Sequence, residues 1–311
     1  MRLLLIGCTG FIGGELLPRL LNAGHHLTII SRKPSSKFKK SLKSKTLCFL
    51  QADPSKQSTW QETKIIDKLN DIDGVINLAG EPIAEKRWTK AQCKIIEESR
   101  LLTTQGLIEA IRTLKKPPKV LINASAIGFY GTSQNNYFNE ENKAGKDFLS
   151  KLCNQWETIA SQKPRKTKLV IIRIGIVLGG NGGALGKMLP VFRAGFGGPI
   201  GNGKQWMSWI HRTDLCEIIE KSLLNNNWSG VINAVSPNPC SMAEFSSALG
   251  KTLGRPNLLP VPGPFLKLLL GDGAEVVLKG QHVSSIRLKK LGYNFLFPNL
   301  EKALKAATER N

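Results

Sequence analysis

The sequence predicts an α/β protein built on a doubly wound parallel sheet, with a smaller lobe toward its carboxyl end. Three observations carry that expectation. The chain opens on an apolar run, Leu3-Leu-Leu-Ile6, that breaks at Gly7, Gly10 and Gly13 and passes into a helical pattern with Leu16, Leu17, Leu20 and Leu21. Strand-like and helix-like stretches then alternate through the first half, as the units of a parallel sheet do. The 311 residues are enough for one large α/β domain or for a nucleotide-binding domain with a companion.

The opening turn is the first candidate site. Gly7 and Gly10 leave no Cβ where the backbone must turn and where a pyrophosphate must approach, and a helix beginning near Phe11 aims its free amides at that anion. Gly7, Thr9, Gly10, Phe11, Ile12 and Gly13 are therefore expected to cradle a dinucleotide. Glycines at this spacing are weak evidence by themselves. Their context is strong: an amphipathic helix follows, Gly24 stands as its C-cap, and a second apolar run, His26 to Ile30, lies at βαβ distance. Pro18 inside the helix predicts a kink.

The second strand delivers Ser31-Arg32. A hydroxyl and a guanidinium at this place suit a 2′-phosphate, so the expected cofactor is NADP(H); the competing reading is that Arg32 only begins the basic run that follows. Asp53 ends a third strand, where it meets the adenine edge or caps a helix running from Pro54 to about Leu69. A fourth strand, Gly74 to Gly80, ends in Leu78, Ala79 and Gly80, whose small side chains let backbone pass close to a cofactor. A helix from Thr89 to about Leu114 carries Arg100, read either as a phosphate ligand or as half of a surface salt bridge. Pro117-Pro118 stops it, and a fifth strand from Val120 to Gly131 presents Ser125 and Tyr130.

Lys168 to Leu178 reads as the sixth strand. The glycine loop after it, from Gly179, is either a connector or an anion site for a substrate phosphate. Trp206 and Trp209 either face a substrate pocket or form core between lobes. His211 and Asp214 read as a structural hydrogen-bonded pair. Glu81 and Arg87, in the loop after the fourth strand, are expected as polar contacts to substrate, against a solvated-loop alternative. Ser241 and Glu244 spell a capping box. Near the end, Phe265, Leu268, Leu269 and Leu270 predict an apolar cap. The expected organisation is a nucleotide domain over 1–178, revisited around 204–236, and a smaller substrate-side lobe over 179–311.

Composition narrows the class. The formal charge is +21, from 44 basic and 23 acidic residues, and seven positive charges fall between Arg32 and Lys45 with no negative one. This reads as a solvated basic loop, with nucleic acid or an anionic membrane as the sharper alternative. Six scattered cysteines without a Cys-x-x-Cys pair suit a reducing compartment and argue against a zinc site, so no metal is expected. No apolar run approaches the ~20 residues that span a bilayer, and no secretory signal is read at the start, so a cytoplasmic location is expected, or the plastid stroma if a transit peptide has been removed.

Taken together, the Gly7 to Gly13 turn, Asn77-Leu-Ala-Gly80, Ser125 with Tyr130-Gly131, Arg173-Ile-Gly-Ile-Val-Leu-Gly179 and Trp209-Ile-His-Arg-Thr-Asp214 resemble the extended short-chain dehydrogenase/reductases. More narrowly, Ser31-Arg32-Lys33, Asn77 to Glu81, Lys86-Arg-Trp88, Gly197 to Gly201 and Gln205 to Arg212 resemble an atypical branch, the SulA-like cell-division-inhibitor or NAD-dependent epimerase/dehydratase-related family. That resemblance covers nearly the whole chain. It implies a Rossmann domain with a small C-terminal lobe, NADP(H) as cofactor, and, from chloroplast relatives, a link to plastid division; the natural substrate in that branch is generally not established. The wider superfamily uses a Tyr-x-x-x-Lys pair as its acid. Here the resemblance puts Leu149 and Cys153 at those positions, and Gln134, Glu141 and Phe297 lie four residues beyond the three tyrosines. Ser125, to orient a carbonyl, and Tyr130, as a displaced acid, are the remaining candidates for chemistry, against Tyr130 simply packing at the strand end. Three function classes follow: a reductase or epimerase-like enzyme on a small carbonyl or sugar-nucleotide substrate, an NADP(H)-sensing regulator with a division-related protein partner, and a cationic nucleic-acid- or membrane-associated protein.

Overall fold

The computed structural model describes residues 1–33, 46–180 and 182–309; the basic run beyond Lys33 lies outside them. The first half runs β1 (Arg2–Ile6), α1 (Gly13–Asn22), β2 (His26–Ser31), β3 (Leu47–Gln51), α2 (Thr63–Leu69), β4 (Gly74–Asn77), α3 (Lys90–Thr113), β5 (Val120–Ala126), β6 (Tyr137–Phe138) and α4 (Phe148–Ser161). There follow β7 (Lys168–Ile174), β8 (Ile176–Leu178), α5 (Gly183–Arg193), β9 (Trp206–Met207), β10 (Trp209–His211), α6 (Arg212–Leu224) and β11 (Gly230–Ala234). The chain closes with β12 (Cys240–Ser241), α7 (Met242–Leu253), α8 (Gly263–Leu270), α9 (Glu275–Leu278), β13 (His282–Val283), α10 (Ile286–Lys290) and α11 (Leu300–Thr308).

Seven strands form one parallel sheet in the order β3-β2-β1-β4-β5-β7-β11. The unbroken apolar run of β1 is explained by its place at the centre, covered on both faces. Leu3 and Leu5 join the core of α1 and α6, through Leu16, Leu20, Leu215 and Ile219, while Leu4 and Ile6 face Leu107, Ile108 and Ile111 of α3. Strand order reverses between β1 and β4. In open sheets of this kind the crevice beyond the strand ends at such a reversal is where ligands bind.

Several boundaries differ from those the sequence predicts. The helix anticipated from Pro54 is a 3-10 helix (Gln57–Gln61) followed by the short α2, because the Lys56 amide donates to the Asp53 carbonyl at 3.1 Å and turns the chain first. The fifth strand stops at Ala126 and tightens into a 3-10 helix over Ile127–Tyr130. The sixth breaks at Gly175: its amide still donates to Ala234 of β11, but that of Ile176 donates to Ser208, and β8 leaves the sheet to pair with β10. α1 runs through Pro18 from Gly13 to Asn22 without interruption.

The smaller lobe has its own core, in which Leu185, Leu189 and Phe192 of α5 meet Phe245 and Leu249 of α7, Leu304 of α11 and Trp209. Its α7 begins with the anticipated capping box, Ser241 and Glu244 each satisfying the other's backbone amide. The apolar cap expected near Phe265 does not form. α8 buries none of its residues, and Leu268 is 68% exposed. No helix among the described residues is long and apolar enough to cross a membrane.

Candidate functional site

The three glycines of the opening turn do different work. Gly7 has φ +72°, and a Cβ there would lie 2.5 Å from the Ala79 nitrogen, so this glycine lets β1 and β4 meet where the order reverses. A Cβ on Gly13 would lie 1.7 Å from the Cys8 carbonyl oxygen, so this glycine lets α1 sit on β1. Gly10 faces open space, its nearest neighbour 3.9 Å away. The Gly14 amide donates to Gly10 O at 2.9 Å; the amides before it belong to the first turn, which has no intrahelical acceptors. Gly10 thus leaves a bare backbone surface in front of free N–H donors, the shape an anion requires.

Ser31 and Thr9 approach within 3.3 Å through their hydroxyls, which ties the end of β2 to this turn. Arg32 is exposed beside them and forms no ion pair among the described residues. Gln51 pairs in register with Ser31, so Asp53 lies two residues beyond the same edge. Asp53 does not cap a helix: its Oδ1 accepts from the amide and hydroxyl of Ser55, at 3.1 and 2.8 Å, closing a local turn. Phe11 is held by the glycine loop after β8, since Cβ atoms on Gly179, Gly182 and Gly183 would all press on its ring. The Arg212 guanidinium lies over that ring at 4.8 Å and donates to Glu15 at 2.7 Å. The described glycines of this loop pack against the Phe11 ring.

Across the crevice, Asn77 shapes the end of β4. Its Nδ2 donates to Thr104 Oγ1 (2.9 Å) and Asn123 Oδ1 (2.7 Å), and its Oδ1 accepts the Ala79 amide (3.2 Å). Leu78 and Ala79 are thereby pinned against Gly7. The Arg100 guanidinium lies on Gly80, so close that a Cβ there would come within 2.8 Å of Cζ. It also stands 5.5 Å from the Trp156 ring and donates from Nη1 to Ile96 O at 2.9 Å. Arg100 is in no salt bridge among the described residues, contrary to the surface-pair reading, and burial lowers its pKa.

Beneath the end of β5 lies a buried ionic network. Ser125 Oγ donates to Glu157 Oε1 at 2.6 Å. Arg173 grips the same carboxylate with Nε and Nη2, both at 2.8 Å, and from Nη1 donates to the Tyr130 oxygen at 2.9 Å. Tyr130 in turn donates to Asn233 Oδ1 at 2.7 Å, and its ring stacks on Phe138. The geometry corrects the candidacy of Tyr130 as an acid: its hydroxyl is engaged on both sides in the interior, and burial pushes its pKa up. The Ser125 hydroxyl is likewise committed to Glu157. Sequence reading missed Glu157 as a partner because it lies 32 residues from Ser125. The available signal was a glutamate on the inward stripe of α4, next to Trp156 and Ala160.

Cys153, at the position where the superfamily pattern has lysine, lies against the Ser125 hydroxyl, the Ala126 backbone and Arg100; burial pushes its thiol up to about 11. With Ala126, Leu149 and Arg100 it lines a cavity of about 460 Å³ between the strand ends and the smaller lobe. Trp206 forms part of the opposite wall and donates from Nε1 to Gln134 O at 2.8 Å. Trp209 does not reach the cavity. It is wholly buried in the lobe core, donating to Asn238 O at 3.1 Å.

Glu81 and Arg87 also fall outside the cavity wall, which is built by Pro82 to Glu85 between them. Glu81 pairs with Lys86 at 2.9 Å, and Arg87 donates to the Leu268 carbonyl. His211 and Asp214 do not bond each other. Asp214 accepts from the Tyr293 hydroxyl (2.7 Å) and the Leu296 and Phe297 amides (2.8 and 3.0 Å), while His211 accepts the Thr213 amide and packs on Phe297. These contacts anchor the C-terminal segment to α6.

A seven-stranded parallel sheet, a glycine turn at the reversal of strand order and a small lobe over the strand ends define a class, the extended short-chain dehydrogenase/reductases with their Rossmann-type domain. The chain belongs to the NAD dependent epimerase/dehydratase family, whose model matches residues 3–234; residues 261–307 match a domain of unknown function, DUF1731. It is 40% identical over 302 residues to the chloroplastic "Epimerase family protein SDR39U1 homolog" of Arabidopsis thaliana, covering 96% of this chain and 84% of that one. Identity to human "Epimerase family protein SDR39U1" is 39% over 310 residues, covering 98% and 99%. The crystal structure of human SDR39U1 (isoform 2) with NADPH superposes with TM-score 0.86 at 36% identity, covering 99% of both chains. UDP-glucuronic acid 4-epimerase from Bacillus cereus shares the fold at 21% identity, TM-score 0.79, covering 99% of this chain and 98% of its own.

Proposed function

We propose that this chain binds NADP(H) at the β1–β4 reversal and acts as an oxidoreductase or epimerase-like enzyme on a carbonyl substrate held in the adjoining cavity. The observation that carries the reading is the bare face of Gly10 beside Ser31 and Arg32. Gly7 to Gly13 would hold the pyrophosphate, Thr9, Ser31 and Arg32 the 2′-phosphate, and Leu78 to Gly80 the opposite wall. When bound, the nicotinamide accepts or donates hydride. On the protein side, Cys153 keeps its proton on Sγ at neutral pH, with Ser125 held against it by Glu157. Cys153 stands at the position where the superfamily has lysine, and Leu149 where it has tyrosine.

Titration calorimetry tests the cofactor site. Arg32→Ala is expected to weaken NADPH by about tenfold or more and NADH by less than about twofold, since the charge-assisted contact is made only to the extra phosphate. Gly10→Ala is expected to weaken both while leaving the melting temperature unchanged, because its Cβ meets only open space in the protein. Equal losses of NADPH and NADH in Arg32→Ala would refute the phosphate assignment.

A second reading, a sensor that reports NADP(H) state to a division-related partner without turnover, is favoured by the engagement of both Ser125 and Tyr130 inside the network. A partner retained only in the presence of NADPH, with no nicotinamide oxidation by any carbonyl compound, would select it.

A further inference from the structure

We propose that the substrate is an apolar oxo acid, a medium-length carbon chain ending in a carboxylate, and that Arg100 binds its acid group. The proposal rests on the reading of the cavity as the substrate site beside NADP(H), and it names a class different from a sugar nucleotide.

The cavity wall is mainly hydrocarbon and thioether: Leu149, Ile176, Met188, Met207, Met242 and Trp206 face it. A sugar nucleotide would bring hydroxyls and two phosphates into this space, where most of the wall offers no polar partner to replace the lost water. A hydrocarbon chain loses nothing there, and methionine side chains adapt to its shape. Ligand pockets of this size typically combine such a wall with a few placed polar groups.

Most charged groups at the wall are already engaged. Asp147 accepts from the amide and hydroxyl of Ser150 (2.8 and 2.9 Å), Lys279 pairs with Glu275 at 3.0 Å, and Lys187 donates to the Ala84 carbonyl. Arg100 differs. It is half-buried, it forms no ion pair among the described residues, with the Glu81 carboxylate acting on it only through space, and its Nη1 donates to Ile96 O. A half-buried guanidinium without a direct carboxylate contact is costly to hold, and its planar fork matches a carboxylate. The fold therefore supplies a half-buried cationic anchor in a mainly apolar chamber, with the exposed Lys187 and Lys279 also on its wall.

Calorimetry on the full chain saturated with NADP+ tests this with octanoate, 1-octanol and UDP-glucose. Octanoate is expected to bind about tenfold or more tightly than octanol, and UDP-glucose to give no heat. Arg100→Gln is expected to lower octanoate affinity by about tenfold, to the level of octanol, with NADP+ affinity unchanged. As a second variant on a half-buried wall position, Met188→Glu is expected to repel octanoate and spare octanol. Tighter binding of UDP-glucose than of octanoate would overturn the proposal. So would octanoate binding indifferent to Arg100→Gln, or a loss of NADP+ affinity in that variant, which would assign Arg100 to the cofactor. If the chain bound no NADP+ at all, the functional reading would fail separately, and the octanoate series on the unliganded chain would still report on Arg100.

Discussion

Glu157→Ala is expected to destabilise the protein by about 3–5 kcal/mol, the range seen when one partner of a buried ion pair is removed. Arg173 holds Glu157 through both guanidinium edges and is buried with it, the side chains 4% and 9% exposed. Without the carboxylate, the guanidinium stays packed over the Phe129 ring with no counter-charge, and Ser125 loses its acceptor. Urea unfolding followed by circular dichroism measures the loss. The double variant Glu157→Leu with Arg173→Leu is expected to recover most of it, because removing both charges also removes the desolvation penalty. A single-variant loss below about 1 kcal/mol would show that the pair does not act as a buried one.

Gly13→Ala is expected to destabilise by roughly 3 kcal/mol, and the neighbouring Gly14→Ala to stabilise by about 0.5–1 kcal/mol. Both residues lie in the first turn of α1, so helix propensity favours alanine at each. The difference is steric. A Cβ on Gly13 meets the Cys8 carbonyl carbon at 2.3 Å and its oxygen closer still, backbone that cannot retreat without lifting α1 off β1, whereas a Cβ on Gly14 meets nothing within 4 Å. Comparing the two variants in the same unfolding experiment isolates that clash. Similar stabilities for both would contradict the packing of α1 against the sheet.

Much of the scaffold was legible because its determinants are local. The glycine turn, the stripe of Leu16, Leu17 and Leu20, and the capping box of Ser241 and Glu244 each depend on residues within one or two turns of one another. The site was legible only in part. Trp206 and Trp209 stand three residues apart, yet one reaches the cavity and the other fills the core, a division made by β9 pairing with β12 while β10 turns to β8. Glu81 and Arg87 were expected to contact substrate, and both are taken up by neighbours, Lys86 and the end of α8.

By itself, the sequence determined the parallel α/β architecture, the place of the nucleotide turn and the absence of a tyrosine–lysine pair. Apolar periodicity and glycine stereochemistry act over a few residues, and they need no knowledge of what packs against them. Only the tertiary structure decided that Arg100 is half-buried with no ion pair among the described residues, that Ser125 leans on Glu157, and that Tyr130 faces the interior. Those facts depend on groups tens of residues apart meeting where water is excluded, where each ionic or polar group is either satisfied by a distant partner or left waiting for a ligand.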